Sequence, residues 1–209
     1  MMTFDSFATS RLHVLWSRIG AIIMIFLTLS GCAVVAVSAV VVTASAVHDR
    51  RSVETVVDDQ RLSLAVRQTL NRSNQFTGEA SFEVSTYNGW VLLVGEVESA
   101  EMIDQATELI SGLAGVERLF NELVVASKSR FGQTARDGLV TLQVKAAIAD
   151  IKDLPQFDAS RVKVTTRRQV VYLQGLVNER ESARVVDQAR RVSGVKKVVV
   201  VFELMAEPR

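Results

Sequence analysis

From Ile19 to Val47 the chain runs without a charged side chain. Past His48 it changes to short segments whose apolar positions recur with a regular period. The first stretch is long enough to cross a bilayer. Beyond it, Leu62, Val66 and Leu70, like Val140, Val144, Ile148 and Ile151, recur every three or four residues and read as amphipathic helices with one core-facing stripe. Phe82, Val84 and Thr86 alternate as a strand, Asn88-Gly89 supplies the positive φ angles of a type I′ turn, and Trp90 to Val97 returns as the second strand of a hairpin. Glu98 to Leu113 reads as a further helix with Gly115 as its C-cap, and Val116 to Val125 reads as a third strand.

The same order occurs twice. Sliding the chain by 80 residues lays Phe82 to Thr86 over Val162 to Thr166, and Val91 to Val97 over Val171 to Val177. With a slip of one residue, Leu113-Ala114-Gly115-Val116 meets Val192-Ser193-Gly194-Val195. A duplicated domain of class α+β follows, with two αββαβ units at 58–125 and 135–204, a linker at 126–134 and a tail at 205–209. Each unit is expected to be a three-stranded mixed sheet packed on two helices. Both faces of the sheets are apolar, since Val91 and Leu93 alternate with Leu92 and Val94, and Val198 to Phe202 has no polar position at all. Packing of the two units through these faces is the expected way to cover them.

Leu29-Ser30-Gly31-Cys32 resembles a bacterial lipobox, and Cys32 is the single cysteine of the chain. That resemblance implies a signal peptide at 1–31, cleaved before Cys32, and a lipidated Cys with a tether at 32–57. Acyl chains such as palmitate would anchor the protein stably, since each buried methylene contributes about 0.8 kcal/mol. Ala33 after the Cys implies sorting to the outer membrane. An uncleaved signal anchor with Cys32 as an ordinary small residue is the competing reading.

Composition narrows the chemistry. One Cys and two His, His13 and His48, are too few for a His/Cys zinc site or an internal disulfide, and a net charge of +1 argues against a nucleic-acid partner. His48 reads as solvated linker. Asp58-Asp59 and the pair Glu179 and Glu181 fall where helix-start acids are favoured, and the glycines stand singly rather than in a phosphate-cradling loop. No enzyme activity, metal or cofactor is expected.

The pattern Val-x-Val-x-Thr, then Val-x-Leu-x-Gly-x-Val, then a helix ending in Val-x-Gly-Val, occurs at Val162 to Val195 and more loosely at Phe82 to Val116. It resembles the signature of the BON domain. The whole arrangement, including Asp49-Arg50-Arg51-Ser52-Val53 ahead of the first copy, is similar to dual-BON outer-membrane lipoproteins of Gram-negative bacteria. The resemblance implies a lipid-anchored protein on the periplasmic face of the outer membrane that binds anionic phospholipid, gathers at division sites and supports envelope integrity. It also implies an aromatic residue near the start of the first helix of the second copy, where this chain has Leu139.

The charges address the lipid question independently. Residues 58–125 hold four basic against eleven acidic side chains, whereas 135–204 hold thirteen basic against eight acidic. Each cation near an anionic leaflet contributes about 1 kcal/mol, so only the second copy suits phosphatidylglycerol or cardiolipin. The basic candidates are Arg136, Lys145, Lys152, Arg167, Arg168, Lys196 and Lys197. Leu139 and Leu142 lie off the core stripe of their helix and beside Lys145, an interfacial pattern. The expected phospholipid-binding residues are therefore Leu139, Leu142, Lys145, Arg136 and Lys152. The alternative function is a protein-interaction adaptor whose acidic first copy binds an envelope-assembly or cell-wall-remodelling partner.

Overall fold

The computed structural model describes residues 49–73, 76, 80–129 and 131–205. Cys32, His48, the apolar leader and the chain beyond Met205 lie outside the described residues. Residues 48–209 form one compact unit with its own cores.

The order is α1 (Val53–Arg72), β1 (Ser81–Tyr87), β2 (Trp90–Val97), α2 (Ala100–Ser111) and β3 (Arg118–Val125). The second copy follows as α3 (Phe131–Ala149), a single 3₁₀ turn (Ala159–Arg161), β4 (Lys163–Arg167), β5 (Val170–Val177), α4 (Glu179–Arg191) and β6 (Lys197–Leu204). In each copy the middle strand pairs antiparallel with the first and parallel with the third, with Val84 opposite Leu93 and Val164 opposite Leu173. The class is α+β with two αββαβ units, as the periodicities require.

One helical face and one sheet face close each core. Leu62, Val66 and Leu70 of α1 meet Val84, Val91, Leu93, Ala106 and Ile110 in the first copy. Val140, Val144 and Ile148 of α3 meet Val164, Val171, Leu173, Val185 and Ala189 in the second. The remaining faces of the two sheets pack on each other through Leu92, Val94, Tyr172 and Val201, with Trp90, Phe120, Val170 and Val199 at the margin. Apolar residues on both faces of β2 and β5 thus have a partner on each side, which removes the hazard of an exposed face.

Each hairpin turn is held by a buried aspartate from the helix before it. Asp59 accepts from the backbone N–H of Asn88 (2.7 Å) and Gly89 (2.9 Å), and Asp137 accepts from Arg168 and Gln169 (2.9 Å each). The second turn has positive φ at Arg168 (53°) and Gln169 (63°), where side chains are strained, so the two bonds to Asp137 are what fasten it. Asp59 is therefore no helix-start acid: α1 begins at Val53 behind its N-cap Ser52.

The corner glycines also differ from expectation. Gly115 and Gly194 do have positive φ (88° each), but they stand in the turn after the helix, whose C-caps are Gly112 and Val192. The glycine of the Val-x-Leu-x-Gly-x-Val segment has a different reason. A Cβ on Gly175 would collide with the carbonyl oxygen of Arg161, and one on Gly95 with that of Ser81. Gly175→Ala is expected to destabilise the fold by about 2 kcal/mol, because backbone must shift to admit the methyl. A thermal melt should show a Tm lower by roughly 4–8 °C.

Candidate functional site

Helix α3 buries Asp137, Val140, Val144 and Ile148 and turns its opposite side outward. At about 100° per residue, Phe131, Ala135, Leu139, Leu142 and Ala146 fall within an arc of roughly 80°. All five are exposed, with Phe131 90%, Leu139 60% and Leu142 65% accessible. Arg136 flanks this stripe on one side and Lys145 on the other, both exposed. An apolar stripe bordered by cations on a helix whose other face is anchored in a core has the build of an interfacial surface.

Phe131 was not legible as part of this surface, because the apolar period of the core stripe begins only at Val140 and the preceding residues read as linker. The helix starts at Phe131, eight residues before Leu139, and so places an aromatic side chain on the outward face. The signal was there in the 131, 135, 139, 142 spacing, which is itself helical.

The equivalent helix of the first copy carries the stripe only in part, with Val53, Val57 and Leu64 exposed. Asp59, Leu62, Val66 and Leu70 of α1 correspond to Asp137, Val140, Val144 and Ile148, which puts Val53, Val57, Arg61, Leu64 and Gln68 at the places of Phe131, Ala135, Leu139, Leu142 and Ala146. Arg61 and Gln68 interrupt the apolar run, and Arg61 pairs with Asp58 at 3.0 Å.

Charge inverts at the hairpin end of these helices. In the first copy, Asp58, Asn88 and Glu117 line an open groove of about 530 Å³ beside Leu62 and Gly115. Their counterparts are Arg136, Arg168 and Lys196, brought to one end by the bonds from Arg168 and Gln169 to Asp137 and by the Lys196 N–H donating to the Gln169 carbonyl (2.9 Å). Lys197, exposed at the start of β6, adjoins them.

Two of the basic candidates stand differently. Arg167 is only 13% accessible and is committed to the seam between the copies, where it donates to Glu96 and to Ser81 Oγ (2.7 Å). Lys152 is exposed beyond the end of α3, but its ammonium lies 3.1 Å from the Asp150 carboxylate, which offsets its charge.

The seam holds α3 in a fixed relation to the first copy. Glu96 is fully buried, and it accepts from Arg167 and from Ser129 Oγ (2.6 Å). Burial alone would raise its carboxyl, but the bonds from Arg167 and Ser129 hold it below the usual carboxylate range. Ser85 Oγ donates to Gln174 Oε1, and Asn88 Nδ2 to Glu203. The residues ahead of α1 join both copies. Arg50 grips Glu181 with two bonds (2.7 and 2.8 Å) and the Leu176 carbonyl with a third (2.8 Å). Arg51 pairs with Asp59 at 2.6 Å and lies 3.8 Å over the Tyr87 ring. Glu181 is also the N3 partner of the Asn178 capping box on α4, so burial there is outweighed by the bonds from Arg50 and Asn178 and its carboxyl is lowered.

Among the described residues no group of three His, Cys, Asp or Glu side chains is placed to hold a metal ion, and no helix is long and apolar enough to cross a membrane.

The chain is 34% identical over 177 residues to "Outer membrane lipoprotein DolP" of Haemophilus influenzae, covering 85% of this chain and 90% of that protein. It is 33% identical over 154 residues to the "21 kDa hemolysin" of Actinobacillus pleuropneumoniae, covering 74% and 78%. Among solved structures, the C-terminal domain of CdsD, a structural protein of the type III secretion system of Chlamydia trachomatis, aligns with 75% of this chain and all of that domain at 13% identity and a TM-score of 0.25. The BON domain model matches residues 58–127 and 136–206, so the chain belongs to the BON domain family and carries the domain twice.

Proposed function

We propose that this protein is a lipid-anchored component of the outer membrane, facing the periplasm, that docks on anionic phospholipid through the outward stripe of α3. The observation that carries this reading is the exposed run of Phe131, Leu139 and Leu142 between Arg136 and Lys145, set against its interruption in α1. The apolar side chains enter the acyl boundary while Arg136, Lys145, Arg168 and Lys196 meet headgroup phosphates, and Lys152 adds less because of Asp150. The core behind α3 forms the helix before it meets the membrane, so docking need not bear the cost of folding it. Similarity to an outer membrane lipoprotein supports the location. A part in envelope integrity and enrichment at division sites belong to the same reading.

The test is flotation of the unit 48–209 with vesicles. Binding to phosphatidylglycerol or cardiolipin vesicles and not to phosphatidylcholine vesicles is expected, weakening with salt because exposed charges are screened over about 8 Å at physiological ionic strength. Equal binding to both vesicle types, or none to either, overturns the lipid reading and leaves the acidic first copy as the surface for a protein partner.

Anchoring rests on Cys32, which lies outside the described residues. A Cys32→Ala variant of the full chain is expected to lose the lipid-modified mature form and outer-membrane fractionation. An unchanged mature size and membrane position would establish an uncleaved anchor instead.

A further inference from the structure

Strand β6 has one strand partner, β5, along all eight of its residues, and α4 lies against one of its faces. Among the described residues no strand is hydrogen-bonded to its other edge. The strand reads Lys-Val-Val-Val-Val-Phe-Glu-Leu. None of the usual guards against edge pairing occurs in its interior: no proline, no bulge in its register with β5, no central charge.

The first copy shows what a guard looks like at the same place. Asn121 of β3 stands opposite Leu93, as Val200 of β6 stands opposite Leu173. The Asn121 side chain bonds its own strand through Oδ1, which accepts from the Leu123 N–H (3.2 Å), and reaches α2 through Nδ2, which donates to the Ile103 carbonyl (2.9 Å) and Thr107 Oγ1 (2.8 Å). It therefore occupies one of the strand's backbone donors. Val200 is 44% exposed and has no group with which to do the same.

We infer that β6 is a self-pairing edge, on which a second copy of this chain docks its own β6 antiparallel, joining two sheets across a two-fold axis at Val200. The choice of a second copy rests on charge complementarity. With Val200 opposite Val200, the register sets Lys197 of each strand opposite Glu203 of the other, closing both ends of a seven-residue pairing with opposite charges on one face. Among the described residues the exposed Lys197 ammonium makes no ion pair, whereas Glu203 holds Asn88 Nδ2 with one carboxylate oxygen and keeps the other for a partner. The pairing is isologous, so it closes at two copies.

The unit 48–209 contains no cysteine, since Cys32 lies ahead of it. Sedimentation velocity over rising concentration is expected to show a monomer–dimer equilibrium. Val200→Lys sets two ammonium groups face to face at the axis and is expected to weaken the dimer at least tenfold. Lys197→Glu should weaken it as well, and the double variant Lys197→Glu/Glu203→Lys should restore it. Val200→Cys should form an intermolecular disulfide on mild oxidation, because residues directly opposite have Cα atoms about 4.5–5.5 Å apart. Val124→Cys on β3 serves as the control and should not. Circular dichroism of each variant checks that the fold is kept. A unit that stays monomeric at every concentration, with cross-linking at Val200→Cys no greater than at Val124→Cys, overturns the inference. So does a dimer that Val200→Lys leaves intact, or an edge that takes only an extended peptide of another protein.

Discussion

Glu96→Ala is expected to destabilise the unit 48–209 by about 3–5 kcal/mol, the range for removing one partner of a buried ion pair. Glu96 is fully buried and Arg167 is 13% accessible, so the truncation leaves a guanidinium without its counter-charge in the seam between the copies. Ser129 Oγ loses its acceptor at the same time. Urea denaturation should show the midpoint falling with little change in slope, because the surface exposed on unfolding is nearly the same. Replacing both partners by Leu is expected to be close to neutral, since the cost lies in the orphaned charge rather than in the loss of the pair. If the double replacement is as damaging as Glu96→Ala, the pair itself holds the seam and this account of it is wrong.

The same carboxylate sets an acid limit. Its folded pKa lies below the ordinary 4.5, so its contribution is full above 4.5 and is lost as the pH falls through the depressed folded value. Glu181, held by Arg50, and Asp49, held by Arg51, shift in the same direction, although burial opposes the shift in both. Stability should therefore be flat near neutral pH and decline below 4.5. Glu96→Gln should make that decline shallower, because one of the titrating groups is gone. A decline of unchanged steepness would assign the acid limit to the other lowered carboxyls, Glu181 and Asp49 with Glu101 and Asp153.

Replacing Phe131, Leu139 and Leu142 together by Glu is expected to reduce binding to anionic vesicles by at least about a thousandfold. Each of these side chains contributes about 1.5–3 kcal/mol on leaving water, and a thousandfold change corresponds to about 4.1 kcal/mol. The new carboxylates add repulsion from the headgroups. Arg136→Ala with Lys145→Ala removes about 2 kcal/mol and should cost roughly thirtyfold, mostly at low salt. The fold should survive the triple change, because all three side chains are exposed and Val140, Val144 and Ile148 supply the core contacts of α3. Val53→Glu with Leu64→Glu on α1 should leave vesicle binding unchanged. Flotation of the triple variant at the level of the unaltered unit, with its helix content retained, would remove α3 from the docking surface.

Much of the architecture is legible in the sequence. The stripes at Leu62 to Leu70 and Val140 to Ile148 and the alternation before Asn88-Gly89 are written in residues no more than a few positions apart, and the structure has them where the spacing places them. Local periodicity is enforced by helix and strand geometry itself, so it is written into neighbouring residues. The outward position of Leu139 and Leu142 followed from the same geometry once the core stripe was phased.

What the tertiary structure decided is which of several equivalent-looking residues meet across the chain. Arg136, Arg167 and Arg168 are alike in sequence, yet Arg167 is withdrawn into the seam by Glu96, 71 positions away, while Arg136 and Arg168 stay outside. Asp59 reads as a helix-start acid and proves, like Asp137 in the second copy, to be the clasp of a hairpin turn. Phe131 read as linker and proves to open the helix whose outer face it completes. A side chain's spacing determines the face on which it lies, but its partner depends on what long-range pairing brings opposite, and for Glu96 and Arg167 that was the packing of two sheets.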